Sequence, residues 1–156
     1  MSGPHVGTSG WGYPSWQPGF YPPGLDRSAF LSFYAEHLDT VELNATKYRL
    51  PSEEQFRSWA AQVPDGFRFA VKAPDGVEER LAAAGAVRVG DTTGRADWTY
   101  VRFRELRYDP AELAAIGADL GRFDQAGIET YAFFRHDDEP HAPAAADRVA
   151  AACALN

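Results

Sequence analysis

Cysteine is almost absent from this chain, since Cys153 is the single one among 156 residues. One thiol excludes a disulfide within the chain and a cysteine-based zinc cluster, and it favours a reducing compartment. Long apolar runs are also missing, because no stretch approaches the roughly 20 residues needed to span a bilayer. The first residues, MSGPHVGTSGWGYPSW, contain neither the basic segment nor the apolar core of a signal peptide. We therefore expect a cytoplasmic protein without a membrane partner.

A basic excess is lacking as well. The chain has 15 Lys and Arg against 22 Asp and Glu, which gives a formal net charge of −7. General nucleic-acid binders carry a basic surface, so we expect no general nucleic-acid footprint, while a local basic pocket is compatible with this charge. The length suffices for one domain with a buried core, and we assign residues 1–156 to a single domain.

Short apolar segments alternate with amphipathic segments along the chain, which is typical of β/α units. Strands are predicted at His5–Ser9, Thr40–Asn44, Phe67–Lys72, Ala86–Val89, Trp98–Phe103 and Ile128–Phe134. Helices are predicted at Ser28–Leu38, Glu53–Gln62, Glu78–Ala84, Pro110–Gln125 and Pro143–Leu155. Right-handed crossovers between such strands favour a parallel sheet. The pattern predicts an α/β fold with about six parallel strands and helices outside.

The stretch Thr40–Pro51, TVELNATKYRLP, indicates where a site lies. Val41 and Leu43 alternate with Glu42 and Asn44, so that a carboxylate and an amide share one face of a predicted strand. Both faces of a parallel sheet are covered, and polar groups at the carboxyl end of a strand are how β/α proteins build a site. We therefore expect the site at the carboxyl edge of the sheet.

The loop Gly10–Pro23, GWGYPSWQPGFYPP, is unusually aromatic. Two interpretations remain open for it. In one, Trp11, Trp16 and Phe20 cover an end of the core, as large aromatic side chains generally do. In the other, aromatic rings of this loop, Trp11 and Tyr13 among them, form a stacking wall for a ligand.

Five segments carry a resemblance to a known family: GTSGW at Gly7–Trp11, FYPPGL at Phe20–Leu25, VELNATKYRLPS at Val41–Ser52, FRFAVKAP at Phe67–Pro74 and DWTYVRF at Asp97–Phe103. Taken together and in this order, they resemble the YecE-like family, a bacterial domain of unknown function. The resemblance implies a TIM-barrel fold with its pocket at the carboxyl ends of the strands. It implies no established activity.

The chain departs from the family's pattern in length and in motif residues. The family's Gln-Leu-Pro-Pro and Glu-x-Arg-His stretches have no counterpart here, and Lys47 stands where the family has Phe. The resemblance therefore implies a truncated or incomplete TIM-like (β/α) barrel that lacks about two β/α units. Such a chain either closes tightly or leaves sheet edges exposed, and exposed edges invite pairing. We expect a marginally stable chain or a homodimer across the deleted segment.

Strand parity and strand ends together define the predicted site. Its candidate catalytic residues are Glu42 and Asp91, and its candidate substrate-binding residues are Trp11, Tyr13, Asn44, Tyr48, Lys72, Arg102, His136 and Asp137. In the functional interpretation, Lys72 and Arg102 hold a phosphate or carboxylate while Glu42 or Asp91 acts as base. In the structural interpretation, Glu42, Lys72 and Arg102 form a buried ion network that only orders the barrel.

The sequence signals for a metal site are weaker than those for the anion site. A divalent metal could be held by the hard ligands Glu42, Asp91, His136 and Asp137, but no spacing signature supports this, so no cofactor is expected. His136 alone is typical of a surface loop, and the acidic run Asp137–Glu139 is typical of a solvated turn. Two classes remain open: a protein that binds or processes a small anionic ligand, a phosphodiester included, and a catalytically inactive binding or structural domain.

Overall fold

The computed structural model describes residues 3–43, 51–71 and 98–154 of the chain. Its strands are β1 (His5–Ser9), β2 (Thr40–Leu43), β3 (Arg68–Val71), β4 (Trp98–Phe103) and β5 (Glu129–Phe134). Its helices are α1 (Phe30–Ala35), α2 (Glu53–Ala60), α3 (Pro110–Gln125) and α4 (His141–Ala154), with short 3-10 turns at Pro14–Trp16 and Arg27–Ala29. No helix in the described ranges is both long and apolar enough to cross a bilayer.

The predicted elements that fall in these ranges are present, most of them with slightly different ends. The largest difference is at the first helix, where a 3-10 turn precedes α1. The Asp26 carboxylate accepts the Ser28 backbone N–H there and closes the turn, so the α-helix begins only at Phe30. The predicted helix Glu78–Ala84 and strand Ala86–Val89 lie outside the described residues.

The start of α3 is set by a local hydrogen-bond pattern. The Asp109 side chain accepts the backbone N–H groups of Ala111 and Glu112, and the Glu112 carboxylate accepts the Asp109 N–H. Pro110 occupies the first turn, where a missing N–H costs nothing. The predicted helix Pro110–Gln125 is confirmed, and six residues separate it from the end of β4.

The described strands form one parallel sheet in the order β3-β2-β1-β5-β4. One face of it, the outer face, packs against the helices. Val6 of β1, Val41 of β2 and Phe134 of β5 are almost fully buried there. They join a core with buried residues of the helices, namely Phe30, Tyr34, Leu113, Leu120, Ala146 and Val149.

The other face is concave and encloses a lumen. The Tyr100 hydroxyl on β4 donates to Glu42 on β2 at 2.6 Å, although β1 and β5 lie between these strands in the sheet. Such a contact requires the sheet to curl. The register places the following residues on this lumen face: His5, Gly7, Ser9, Thr40, Glu42, Arg68, Ala70, Trp98, Tyr100, Arg102, Glu129, Tyr131 and Phe133. The fold is therefore a partial TIM-like β/α barrel with its helices outside, as predicted.

Candidate functional site

The site is centred on Glu42, whose side chain is fully buried on the lumen face of β2. Ser9 of β1 is its register partner, and the Ser9 hydroxyl donates to Oε2 of Glu42. The Tyr100 hydroxyl donates to Oε1 at 2.6 Å. A buried carboxylate is expensive without such donors, so these two hydroxyls stabilise Glu42 and fix its orientation.

Arg102 on β4 is the cation that accompanies this carboxylate. Its Nε lies 3.7 Å from Oε2 of Glu42, which is an ion pair beyond hydrogen-bond distance. The Arg102 side chain is 24% exposed, and its buried Nε has no hydrogen-bond partner among the described residues. The guanidinium is therefore held near Glu42 by charge, and its Nε donor is unused among the described residues.

Two tyrosines stay protonated beside this pair. Burial, the hydrogen bond to Glu42 and the Glu42 charge raise the pKa of Tyr100 far above its usual range. Burial and the Glu42 charge also raise the pKa of Tyr13, whereas the Arg102 guanidinium lowers it to a smaller extent. The Tyr13 hydroxyl donates to the backbone carbonyl of Ser9 at 2.8 Å. Both phenols are thus neutral hydrogen-bond donors at physiological pH.

The Tyr13 ring connects this group to the loop after β5. It stacks on the imidazole of His136 with ring centroids 4.5 Å apart and an interplanar angle of 7°. The Nδ1 atom of His136 is buried and lacks a hydrogen-bond partner within the described ranges. His136 does lie in a loop, as the first interpretation of it predicted, but it is only partly exposed because the Tyr13 ring covers one face of the imidazole.

Asp137 is only slightly exposed, so the interpretation as part of a solvated turn is wrong for this residue. Its side chain is 10% exposed, and its Oδ2 lies 2.7 Å from Nδ1 of His141. Its Oδ1 is buried without a partner in the part of the chain that is described. The Trp16 indole N–H donates to the Asp137 backbone carbonyl at 3.2 Å and holds the loop down. Asp138 and Glu139 are exposed as expected.

The aromatic loop divides between core and site. Trp16 is fully buried and Phe20 packs edge-on against it, which confirms the core interpretation for both rings. Trp11 is half-buried and packs edge-on against Trp59 of α2, with centroids 5.3 Å apart. Tyr13 is the ring of this set that reaches the Glu42–Arg102 pair.

The structure brings together part of the predicted site. Glu42, Arg102, Tyr13 and His136 are linked by the contacts above, and Asp137 follows directly in the chain. The predicted residues Asn44, Tyr48, Lys72 and Asp91 lie outside the described residues. No group of three or more His, Cys, Asp and Glu side chains within the described ranges is arranged to hold a metal ion.

Sequence reasoning missed Ser9 and Tyr100 as members of the site. The signal that could have found them is the parity of their strands. Ser9 shares a face of β1 with His5, and Tyr100 shares a face of β4 with Arg102. Arg102 was predicted to face the site, so Tyr100 on the same strand face should face it too. Hydroxyl groups that face the site are the expected hydrogen-bond partners of a buried carboxylate.

Comparisons with known proteins identify a family over the first part of the chain. Residues 5–89 match the family described as "Protein of unknown function DUF72". The chain is 32% identical over 73 residues to the UPF0759 protein YunF of Bacillus subtilis, which covers 47% of this chain and 25% of that protein. It is 33% identical over 78 residues to the UPF0759 protein YecE of Escherichia coli K12, covering 50% of this chain and 26% of that protein. The match thus spans about a quarter of the length of these curated relatives.

A solved structure supports the architecture over most of the chain. The crystal structure of a DUF72 family protein from Thermotoga maritima superposes with a TM-score of 0.72 at 18% identity. The superposition covers 94% of this chain and 97% of that one. At this identity the likeness concerns the fold alone. It agrees with the partial barrel described above.

Proposed function

The chain belongs to the DUF72 family, and we propose that its lumen site binds a small phosphorylated or otherwise anionic ligand through Arg102. The observation that supports this proposal is the unsatisfied hydrogen-bond donor of the Arg102 guanidinium. Its Nε is buried without a hydrogen-bond partner in the described residues and lies 3.7 Å from Glu42. Arginine presents donors in a planar fork that suits phosphate and carboxylate groups. An anion that enters the site can satisfy the unused donor.

The surroundings of Arg102 support an anion that also accepts hydrogen bonds. The pKa of Tyr13 is raised by burial and by Glu42, so this phenol remains a neutral donor. The buried Nδ1 of His136 lies beside the same ring and has no partner in the described ranges. These groups come from loops at the carboxyl ends of the strands, where ligands of β/α folds bind.

Processing of the ligand would require a base as well as an anion site. Glu42 is the candidate for that role, because it is the carboxylate paired with Arg102 and its orientation is fixed by Ser9 and Tyr100. Hydrolysis of a phosphodiester is one such reaction. The water oxygen forms a bond to phosphorus while Glu42 accepts its proton, and the bond from phosphorus to the leaving oxygen breaks, after which solvent protonates the departing alkoxide.

A second candidate function rests on the burial of the same carboxylate. Glu42 is 0% exposed and already accepts two hydroxyl hydrogen bonds beside an arginine. Such a network can serve only to order the barrel, and the chain would then be a catalytically inactive binding or structural domain. The two candidates differ in their response to an added anion.

The test uses thermal melting of the purified chain with and without inorganic phosphate, in the variants Arg102→Gln and Glu42→Gln. The matched control is Arg57→Gln, whose side chain is 78% exposed and pairs with Glu53 on α2. We expect phosphate to raise the melting temperature of the wild type and of the control, and to have no effect on Arg102→Gln. Hydrolysis of bis(p-nitrophenyl) phosphate, followed in parallel, reports on the base.

The outcomes separate the two candidates. Loss of hydrolysis with a retained phosphate response in Glu42→Gln supports Glu42 as a base. If phosphate leaves the wild type unchanged and both lumen variants lose only stability, the network is structural and the ligand proposal is overturned. If Arg102→Gln responds to phosphate like the wild type, Arg102 is not the anion-binding group.

A further inference from the structure

A cavity of about 290 Å³ lies outside the lumen, where β4 and β5 end and α4 begins. We call it the α4 cavity and define it by its apolar wall and its charged rim. The apolar wall includes Leu113 of α3, Phe134 of β5 and Ala142 of α4, which are buried in the core on the outer face. Its volume is at the lower end of the range of ligand pockets, roughly 300–1,000 Å³. The space suits a ligand with a small apolar body.

The rim of the α4 cavity is rich in arginine although the chain as a whole is acidic. Among the described residues, its lining contains Arg107, Arg135 and Arg148 together with one carboxylate, Glu105. Arg107 is engaged, because its Nη2 lies 3.0 Å from Oε2 of Glu139 and its Nη1 lies 3.0 Å from His141 Nε2.

The other two arginines have no side-chain partner in the part of the chain that the structure describes. Neither Arg135 nor Arg148 forms an ion pair or a side-chain hydrogen bond within the described residues. They lie on different elements, since Arg135 follows β5 and Arg148 lies on α4. Two guanidinium groups can therefore approach one ligand from two sides.

We infer that the α4 cavity binds an organic anion that joins an apolar body to a carboxylate or phosphate group. The apolar wall receives the body, and Arg135 and Arg148 bind the charged group through their planar forks. Ala142 and Ala144 of the first turn of α4 also line the cavity, and the backbone N–H groups at a helix start favour negative charge. An uncharged ligand of the same shape would forgo both contributions.

The inference does not depend on the proposed lumen site. The two sites share the loop between β5 and α4, in which His136 stacks on Tyr13 while His141 lines the α4 cavity. They use different arginines, and the α4 cavity is walled by residues of the outer face. Either site can fail while the other stands.

The first experiment is isothermal titration calorimetry of the full chain with 2-naphthoate. Two comparison probes divide this molecule into its parts: 2-naphthalenemethanol has the same body without charge, and acetate has the charged group alone. We expect 2-naphthoate to bind more tightly than either. Arg135→Ala and Arg148→Ala should each weaken it about tenfold, which is the effect of losing one hydrogen bond to a charged group. The charge-matched control Arg122→Ala, an exposed residue of α3 paired with Asp119, should bind like the wild type.

A second pair of variants tests the location without changing charge. Ala144 lines the α4 cavity, whereas Ala151 is exposed on the same helix away from it. Ala144→Phe should abolish binding of 2-naphthoate, and Ala151→Phe should preserve it, with similar melting temperatures for both.

The inference is overturned if 2-naphthalenemethanol binds as tightly as 2-naphthoate, if the arginine variants bind like the control, or if 2-naphthoate does not bind. The phosphate response of the wild type is measured on the same preparation. Absence of naphthoate binding, together with a phosphate response that Arg102→Gln abolishes, overturns the α4 cavity alone. Naphthoate binding that Ala144→Phe abolishes, together with no phosphate response of the wild type, overturns the lumen proposal alone.

Discussion

Tyr131 shows how a single residue on the lumen face makes the stability of this protein depend on pH. Burial and, after it, the hydrogen bond to Glu129 raise the pKa of Tyr131 from about 10 to about 12. The phenol donates to Glu129 at 2.7 Å and its ring stacks on His5. Because the folded pKa is the higher one, the folded state keeps a proton that the unfolded state releases. This contribution to stability is complete below pH about 10 and is lost as the pH rises through about 12.

The variant Tyr131→Phe tests this dependence, since phenylalanine preserves the ring and removes the titrating group. We expect the free energy of unfolding of the wild type to fall more steeply between pH 10 and 12 than that of the variant. Urea denaturation at closely spaced pH values measures both curves. Other buried tyrosines contribute equally to the two proteins and cancel in the comparison. Parallel curves over this interval would contradict the prediction.

At the same scale, parity within a strand predicted Glu42 and Arg102 on the lumen face, because the alternation of side chains is a local property. Parity did not predict that Tyr100 would meet Glu42, since that contact depends on how strongly the sheet curls. The partial burial of His136 could not be predicted from its own segment either. It depends on the ring of Tyr13, which belongs to a distant loop.

Among the elements, the pair β1 and β2 depends on one glycine. A Cβ atom on Gly7 would overlap the backbone carbonyl oxygen of Thr40. The end of a flexible side chain could move away from such a contact, but this backbone oxygen cannot move unless the strand shifts. We therefore expect Gly7→Ala to push the strands apart and to lower the free energy of unfolding by about 1–3 kcal/mol or more, as overpacking does. Ser9 and Glu42 are paired across the same two strands, so the lumen site is affected as well.

Urea denaturation of Gly7→Ala measures this effect, and Gly12→Ala is its matched control. Gly12 is exposed, no atom lies within 4 Å of a Cβ built on it, and it is not among the glycines with positive φ. The control should unfold like the wild type. Equal stability of the two alanine variants would show that the strands adjust without cost.

The elements also differ in how accurately their boundaries could be predicted from the sequence. The start of α3 was predicted to the residue because Asp109 and Pro110 act within one turn. The boundary of α1 was predicted less well, because the choice between a 3-10 turn and an α-helix at Arg27–Ala29 is decided by a small difference in local hydrogen bonding. The sheet order and register are long-range properties, and local periodicity does not contain them.

At the scale of the molecule, alternation of strands and helices predicted the fold class, and the family resemblance predicted the barrel. The outer face agrees with this, since apolar strand residues and helices meet there in one core. The predicted strand Ala86–Val89 lies outside the described residues.

At this scale we also predict the association state of the protein in solution. In the described part of the chain, β3 and β4 each pair with one strand, at opposite ends of the sheet order. A strand with an unpaired edge is a template for pairing with another chain, so we expect the purified protein to form a homodimer across the segment that longer relatives contain. Light scattering should give twice the 17.1 kDa of one chain, and the melting temperature should rise with protein concentration, because a dimer is stabilised by mass action. A monodisperse monomer with a cooperative melting curve that is independent of concentration would contradict the dimer and favour a barrel that closes within one chain.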